Sequence, residues 1–295
     1  MPVIHPTFTT PEQVTQAVQD HGYAVLSPNG VSTFANCTLR ALEAFQPSWD
    51  DLPPDQFLLD GGHYRSRRHS CFVVDGAVKQ TPHRGHWQPV EYNALHGGMV
   101  RLFEPIAPPT IAQAAWSQLL HAVGNVCSRI KGPQPWYVEA HQFRIDTTHG
   151  IGRPTPEGAH RDGVDFVAIL LVARKDVKGG ESRVFDADSS NGKRFTLTEP
   201  WSLLLLDDMR VIHTDSTDSG GWASRYFGAD VSGRWVSGAN LAHFRVLNTR
   251  CLDTAHIAVY AEVSYVQRGD HHVFTRNGKN RCRTNCAKQR YTRRR

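Results

Sequence analysis

His160 and Asp162 stand two residues apart, and each carries a side chain that can bind a metal. If the segment is extended, a spacing of two puts both side chains on one face, where an imidazole and a carboxylate can share one cation. His213 is the natural third ligand, because it follows the apolar run 203–206 and a short acidic turn, Asp207-Asp208. Two histidines and one carboxylate on one side of a metal leave its other positions open. That arrangement suits ferrous iron, an oxidisable co-substrate and oxygen together, whereas a closed structural site would need four protein ligands. Alone, His-x-Asp is a weak pattern in a chain with 16 histidines, and a surface turn is the competing reading.

A second set of residues has the character of a substrate site. Tyr64 and Arg65, with Arg67 and Arg68 beside them, could recognise a carboxylate, although a solvated charge cluster explains them equally well. Arg144 lies on a strand leading toward the metal segment and is expected to face the cavity; the competing reading is a salt bridge with Glu139 or Asp146. Arg161, between two ligands, should point away from the metal by strand alternation. His83, His86 and His141 read as ordinary surface or core histidines, and Trp87, Trp116 and Trp136 as core residues.

The elements that must position these groups change character along the chain. Residues 11–21 read as a helix with Thr10 as its N-cap and Val14 and Val18 on its apolar face. Residues 23–26 read as a strand, and 110–130 as a helix, with Ile111, Ala115, Leu119 and Val123 at helical intervals. Residues 49–68 are rich in turn formers and charge. From Trp136 onward the period becomes that of strands: 137–145, the continuous apolar run 166–173, a short strand at Val184 and Phe185, and 201–206. Gly179-Gly180 and Asn191-Gly192 supply turns. This succession predicts an α+β protein: a jelly-roll core over 135–214, braced by a mixed helical first part, 1–134.

With 295 residues and 40% apolar content, the chain can bury a sizeable core. No run is long enough to span a bilayer and the N-terminus lacks a leader pattern, so a cytoplasmic protein is expected, without membrane partners. The six cysteines have no disulfide-like spacing and read as reduced thiols. The net charge of +5 is uneven, since residues 215–295 hold 14 Lys or Arg against 6 Asp or Glu. The sequence leaves the oligomeric state open.

The ordered motifs carry a resemblance. Residues 154–166, from Pro154 through His160 and Asp162 to Phe166, are followed by Gly179-Gly180-Glu181-Ser182-Arg183, and then by 205–213, ending in His213. Together with Asp60-Gly61-Gly62-His63-Tyr64-Arg65 and Gln142-Phe143-Arg144, this succession resembles the bacterial 2-oxoglutarate/iron dioxygenases that include free-amino-acid hydroxylases such as L-isoleucine 4-hydroxylase. The resemblance covers roughly residues 20 to 214. It implies a double-stranded β-helix in which His160, Asp162 and His213 hold Fe(II). It also implies 2-oxoglutarate and O2 as co-substrates, and hydroxylation of a C–H bond of a small polar substrate, a free L-amino acid among the candidates.

The chain departs from that pattern after His213. The family carries an arginine on the next strand to pair with the far carboxylate of 2-oxoglutarate, a task suited to a planar guanidinium. Residues 214–231 lack the alternation of such a strand, and Arg225 is its only surrogate. One permitted choice of codons for 215–231, read in another frame, spells PIQPIQAGGRRDTLVLT, which has the missing turn, arginine pair and strand. We therefore expect residues 215–295 to be an out-of-frame or disordered tail, with the last core strand lost. On that reading the basic terminus and the Cys282/Cys286 pair are by-products. Two other functions stay in view: a catalytically inactive jelly-roll binding protein, and nucleic-acid binding through the basic tail, which lacks aromatic interleaving.

Overall fold

The computed structural model describes residues 3–59, 61–90, 92–93, 97–148, 158–177, 179–189, 191–216 and 238–248, with 215–216 and 238–248 as backbone only. A 3-10 turn, Pro11–Gln13, leads into α1 (Val14–His21), which ends where Gly22 adopts φ +77 and lets the chain turn into β1 (Tyr23–Leu26). Thr10 takes the extended N-cap conformation but its side chain makes no cap bond, so the expected helix 11–21 forms in two pieces. Two short helices follow, α2 (Pro28–Phe34) and α3 (Leu39–Glu43), capped by the hydroxyls of Ser27 and Thr38. Strands β2 (Arg65–Asp75) and β3 (Ala77–Gln80) form a hairpin. Next come α4 (Pro108–Ile111) and the long α5 (Ala114–Lys131), which buries Ala115, Leu119 and Val123 as their helical spacing predicts.

The remaining strands are β4 (Trp136–Asp146), β5 (Phe166–Lys175), β6 (Glu181–Asp186), β7 (Gly192–Phe195), β8 (Leu203–Asp207), β9 (Val211–Ser216) and β10 (Gly238–Asn248). They build a seven-stranded sheet in the order β1-β8-β5-β10-β4-β2-β3 and a three-stranded sheet in the order β7-β6-β9. Every pairing is antiparallel, consistent with a jelly-roll-like dioxygenase fold.

Strand β5 shows how the layers stack. Phe166, Ala168, Leu170 and Val172 join the core beneath the helices, with Trp49, Trp116 and Trp136. The alternate residues Val167, Ile169 and Leu171 join a second core between the sheets, with Leu204 and Leu206 from β8 and Val184 and Phe195 from the small sheet. A strand buried on both faces needs an unbroken apolar run, which is what the sequence carries there. Trp87 is only half-buried and lies outside both cores, unlike Trp116 and Trp136.

Three boundaries differ from the sequence reading. β2 runs through a stretch whose charge and turn formers suggested no strand. β8 begins at Leu203 because Trp201 sits at φ +71, outside the extended region. Beyond residue 214, where the sequence reading expected the last core strand to be lost, the backbone of Gly238–Asn248 forms a strand. β10 occupies the middle of the large sheet, pairing with β4 from Gly238↔Asp146 to Asn248↔Trp136 and with β5 on its other side. The described residues belong to one compact unit within Met1–Ala255. Among the described residues no helix is long and apolar enough to cross a membrane.

Candidate metal centre

His160 and His213 meet through their backbones before their side chains are considered. Each donates its N–H to the carbonyl of the other at 2.9 Å, a two-residue bridge that attaches the metal segment to the free edge of β9. The pairing sets the imidazole centroids 4.7 Å apart with the rings tilted by 49°. Asp162 approaches from the same segment, its Oδ2 3.5 Å from His213 Nε2. One ligand atom from each of the three residues lies within 4.8 Å of the others, and Asp162 and His213 are buried.

The supporting contacts fix which atoms face inward. The carbonyl of Gly158 can only accept, so at 2.8 Å it holds the hydrogen on His160 Nδ1 and leaves the Nε2 lone pair for a metal. Asp208, fully buried, ties down the loop after the first two ligands. Its Oδ1 accepts from the backbone N–H of Asp162 at 3.0 Å, and its Oδ2 accepts from Gly163 at 2.8 Å and Val164 at 3.0 Å. Burial, then the nearby Asp162 carboxylate, pushes the Asp208 pKa above its ordinary 3.8, against the pull of His213 and the N–H donors. Gly163 is required in this loop: it sits at φ +73, and a Cβ there would lie 2.5 Å from the Tyr92 ring.

Gln88 holds the remaining carboxylate oxygen. Its Oε1 accepts from Arg101 Nη2 at 2.8 Å and Asn93 Nδ2 at 3.1 Å, and lies 3.3 Å from His86 Nε2. Two donors on one oxygen leave the amide a single orientation, so Nε2 points to Asp162 and donates to Oδ1 at 3.1 Å. Oδ2 is thereby turned toward His213. Two imidazoles and one carboxylate, each oriented by a second contact and grouped on one side, fit a ferrous ion that must also accept small-molecule ligands.

The other sequence candidates disperse. Arg65 is buried, but its Nε pairs with Asp55 Oδ2 at 2.7 Å. Tyr64 is half-buried, and its carbonyl accepts from the Asp146 N–H at 2.7 Å. Arg144 does not face the inter-sheet space: it lies on the opposite face of β4 from Glu139 and His141, and its Nη1 donates to the carbonyls of Trp49 at 3.2 Å and Asp50 at 2.9 Å. Glu139, on the other face, meets His86 Nδ1 at 3.0 Å. Arg161 points away from the ligands, as strand alternation required, and donates to the Met209 carbonyl at 3.2 Å. Arg225 lies outside the described residues. The sequence reading missed Gln88 and Asp208, and it passed over His86 and His141, which are buried in a cluster with His69 and Glu139.

The family model for 2OG-Fe dioxygenases matches residues 46–219, more than half of the chain. The chain belongs to this dioxygenase family. As such it is a 2-oxoglutarate-dependent non-haem iron oxygenase, using Fe(II), 2-oxoglutarate and O2. The dioxygenase is similar to a bsmA homolog from Methylobium petroleophilum PM1, at 42% identity and a TM-score of 0.73, over 84% of this chain and 97% of that one. Its fold also matches IDO from Bacillus thuringiensis, at 14% identity and TM-score 0.61, over 81% of this chain and 100% of the other. The Fe(II)/α-ketoglutarate-dependent dioxygenase TqaL aligns at 15% identity and TM-score 0.57, over 81% and 87%. No curated protein matches the dioxygenase significantly.

Proposed function

We propose that His160, Asp162 and His213 hold the ferrous ion and that the enzyme hydroxylates a small polar molecule, with a free L-amino acid as the substrate class. The convergence of these three side chains, with His213 Nε2 3.5 Å from Asp162 Oδ2, is the observation that carries the reading. Bound there, iron would supply the oxidising chemistry by which 2-oxoglutarate, O2 and a substrate C–H bond give succinate, CO2 and the hydroxylated substrate. The chain's own residues set the geometry. Gly158 fixes the His160 tautomer, Gln88 turns the Asp162 carboxylate, and Asp208 holds the loop that carries Asp162. The amino-acid class is supported by the sequence resemblance and by the buried polar surface beside the centre, which includes Arg65, Arg67, His69, Glu139 and His141.

The test is succinate formation with iron, ascorbate, 2-oxoglutarate and a panel of free L-amino acids, comparing the wild type with His160→Ala. The wild type should form succinate in response to one group of amino acids, and the variant should fall to background. Equal turnover by the two proteins would reject the ligand assignment.

A further inference from the structure

Arg67 is a buried cation whose buried carboxylate neighbours, Asp55 and Glu139, act on it through space rather than by direct contact. It is only 5% exposed, and among the described residues it forms no ion pair. Its Nη2 donates to His141 Nδ1 at 2.9 Å, and its guanidinium lies 4.0 Å from the ring centre of Phe103 and 4.5 Å from that of Phe143. Its Nε is sealed from solvent without an acceptor. The neighbours along the same face of β2 repeat the pattern. Arg65 meets Asp55 through Nε but leaves Nη2 buried without an acceptor, and His69 contacts Cys71 Sγ through Nε2 at 3.4 Å while its Nδ1 is also buried without one.

Three successive side chains on one strand face thus each present a desolvated nitrogen without an acceptor among the described residues. Leaving such a donor unmet is costly, most of all on a charged group, and an apolar residue would serve stability better. Among the described residues the charges are also unbalanced: Arg65, Arg67 and Arg101 are buried here with Asp55 and Glu139 against them, Asp162 being part of the metal centre. One positive charge in excess, held between two aromatic walls, is the complement of a carboxylate. A second metal ion among His69, His86, Glu139 and His141 is the rival reading. It conflicts with Arg67, whose N–H already occupies the Nδ1 lone pair of His141 and whose charge would repel a cation.

We propose that Arg65, Arg67 and His69 form a carboxylate-binding site, anchored by Arg67, on the inward face of β2. The site is linked to the metal centre by the succession of side-chain contacts Glu139–His86, His86–Gln88 and Gln88–Asp162. This rests on the oxygenase reading above, and the carboxylate belongs to either the co-substrate or an amino-acid substrate.

The experiment is calorimetric titration of the iron-loaded full-length protein under anaerobic conditions. One arm uses 2-oxoglutarate and succinate, and the other uses the amino-acid panel. Wild type, Arg67→Met, Arg67→Lys and His160→Ala are compared, and Fe(II) affinity and thermal midpoint are recorded for each. Arg67→Met should weaken one arm by on the order of 100-fold, with Fe(II) affinity unchanged and the thermal midpoint no lower than wild type. The weakened arm names the source of the carboxylate. Arg67→Lys, which keeps the charge but not the planar fork, should lose about 10-fold on the same arm. Should Arg67→Met not fold, Arg67→Lys alone decides. Wild-type affinity on both arms, or a fall in thermal midpoint with ligand binding intact, would overturn the site and leave a structural arginine. Loss of iron in His160→Ala bears only on the ligand assignment, so the two readings fail separately.

Discussion

The space between the two sheets has two halves built on the same strand face, and they are chemically opposite. Around β5 and β8 it is filled by Val167, Ile169, Leu171, Leu204 and Leu206. Around β2 and β4 it is lined by Arg65, Arg67, His69, Glu139 and His141, all of them buried. The apolar half gains from removing surface from water and asks only for close packing. The polar half must satisfy each donor and acceptor or leave it at a cost, so it persists because something other than stability requires it. The metal centre sits where the two meet, with Asp162 reached from Gln88 on one side and Val164 packed into the apolar core on the other.

This division can be broken by mutation. Leu206→Ala, in the apolar half, should cost about 2–5 kcal/mol in chemical denaturation, because a fully buried side chain leaves a cavity. Fe(II) affinity of the protein that remains folded should be unchanged. A parallel loss of metal binding would show that the halves are not separable. Gln88→Met, in the polar half, should do the reverse. Removing the amide that turns Asp162 should weaken Fe(II) about 10–100-fold in anaerobic titration, with a much smaller change in unfolding free energy. Unaltered iron affinity would reduce Gln88 to packing.

The smallest effect concerns Asp55. Burial raises its pKa, but Arg65, Arg67 and the Phe57 N–H outweigh that and hold it below the ordinary 3.8. A depressed carboxylate contributes stability above its unfolded pKa and loses it as pH falls through the folded value. The acid limb of a stability-against-pH curve should therefore flatten in Asp55→Asn, while Leu206→Ala shifts the whole curve without changing that slope.

The two halves also differed in how well the sequence revealed them. The apolar run of β5 and the helical spacing of Ala115, Leu119 and Val123 were legible because burial writes its period directly into residue type. β2 was not, because its inward positions are Arg65, Arg67 and His69, and Arg68 on the other face hides the alternation. At the metal centre, the His160-x-Asp162 spacing reads as one face of an extended segment. Gln88 left no such trace, since its orientation comes from Arg101 and Asn93 acting together after folding. Arg144 was misplaced although the parity of β4 was available: it is an odd number of positions from Glu139 and His141 and so faces the other way.

The placement of β10 has a consequence for how the molecule is made. It is the last described strand in the chain, yet it is inserted between β4 and β5, so each of those lacks one of its two neighbours until Gly238–Asn248 has been synthesised. Until then two strand edges stand open side by side, a template for any extended peptide that arrives first. Assembly of this sheet is thus a matter of timing: the seam closes from the far end of the polypeptide, and an early stop would leave a slot in the middle of the sheet rather than a shortened rim.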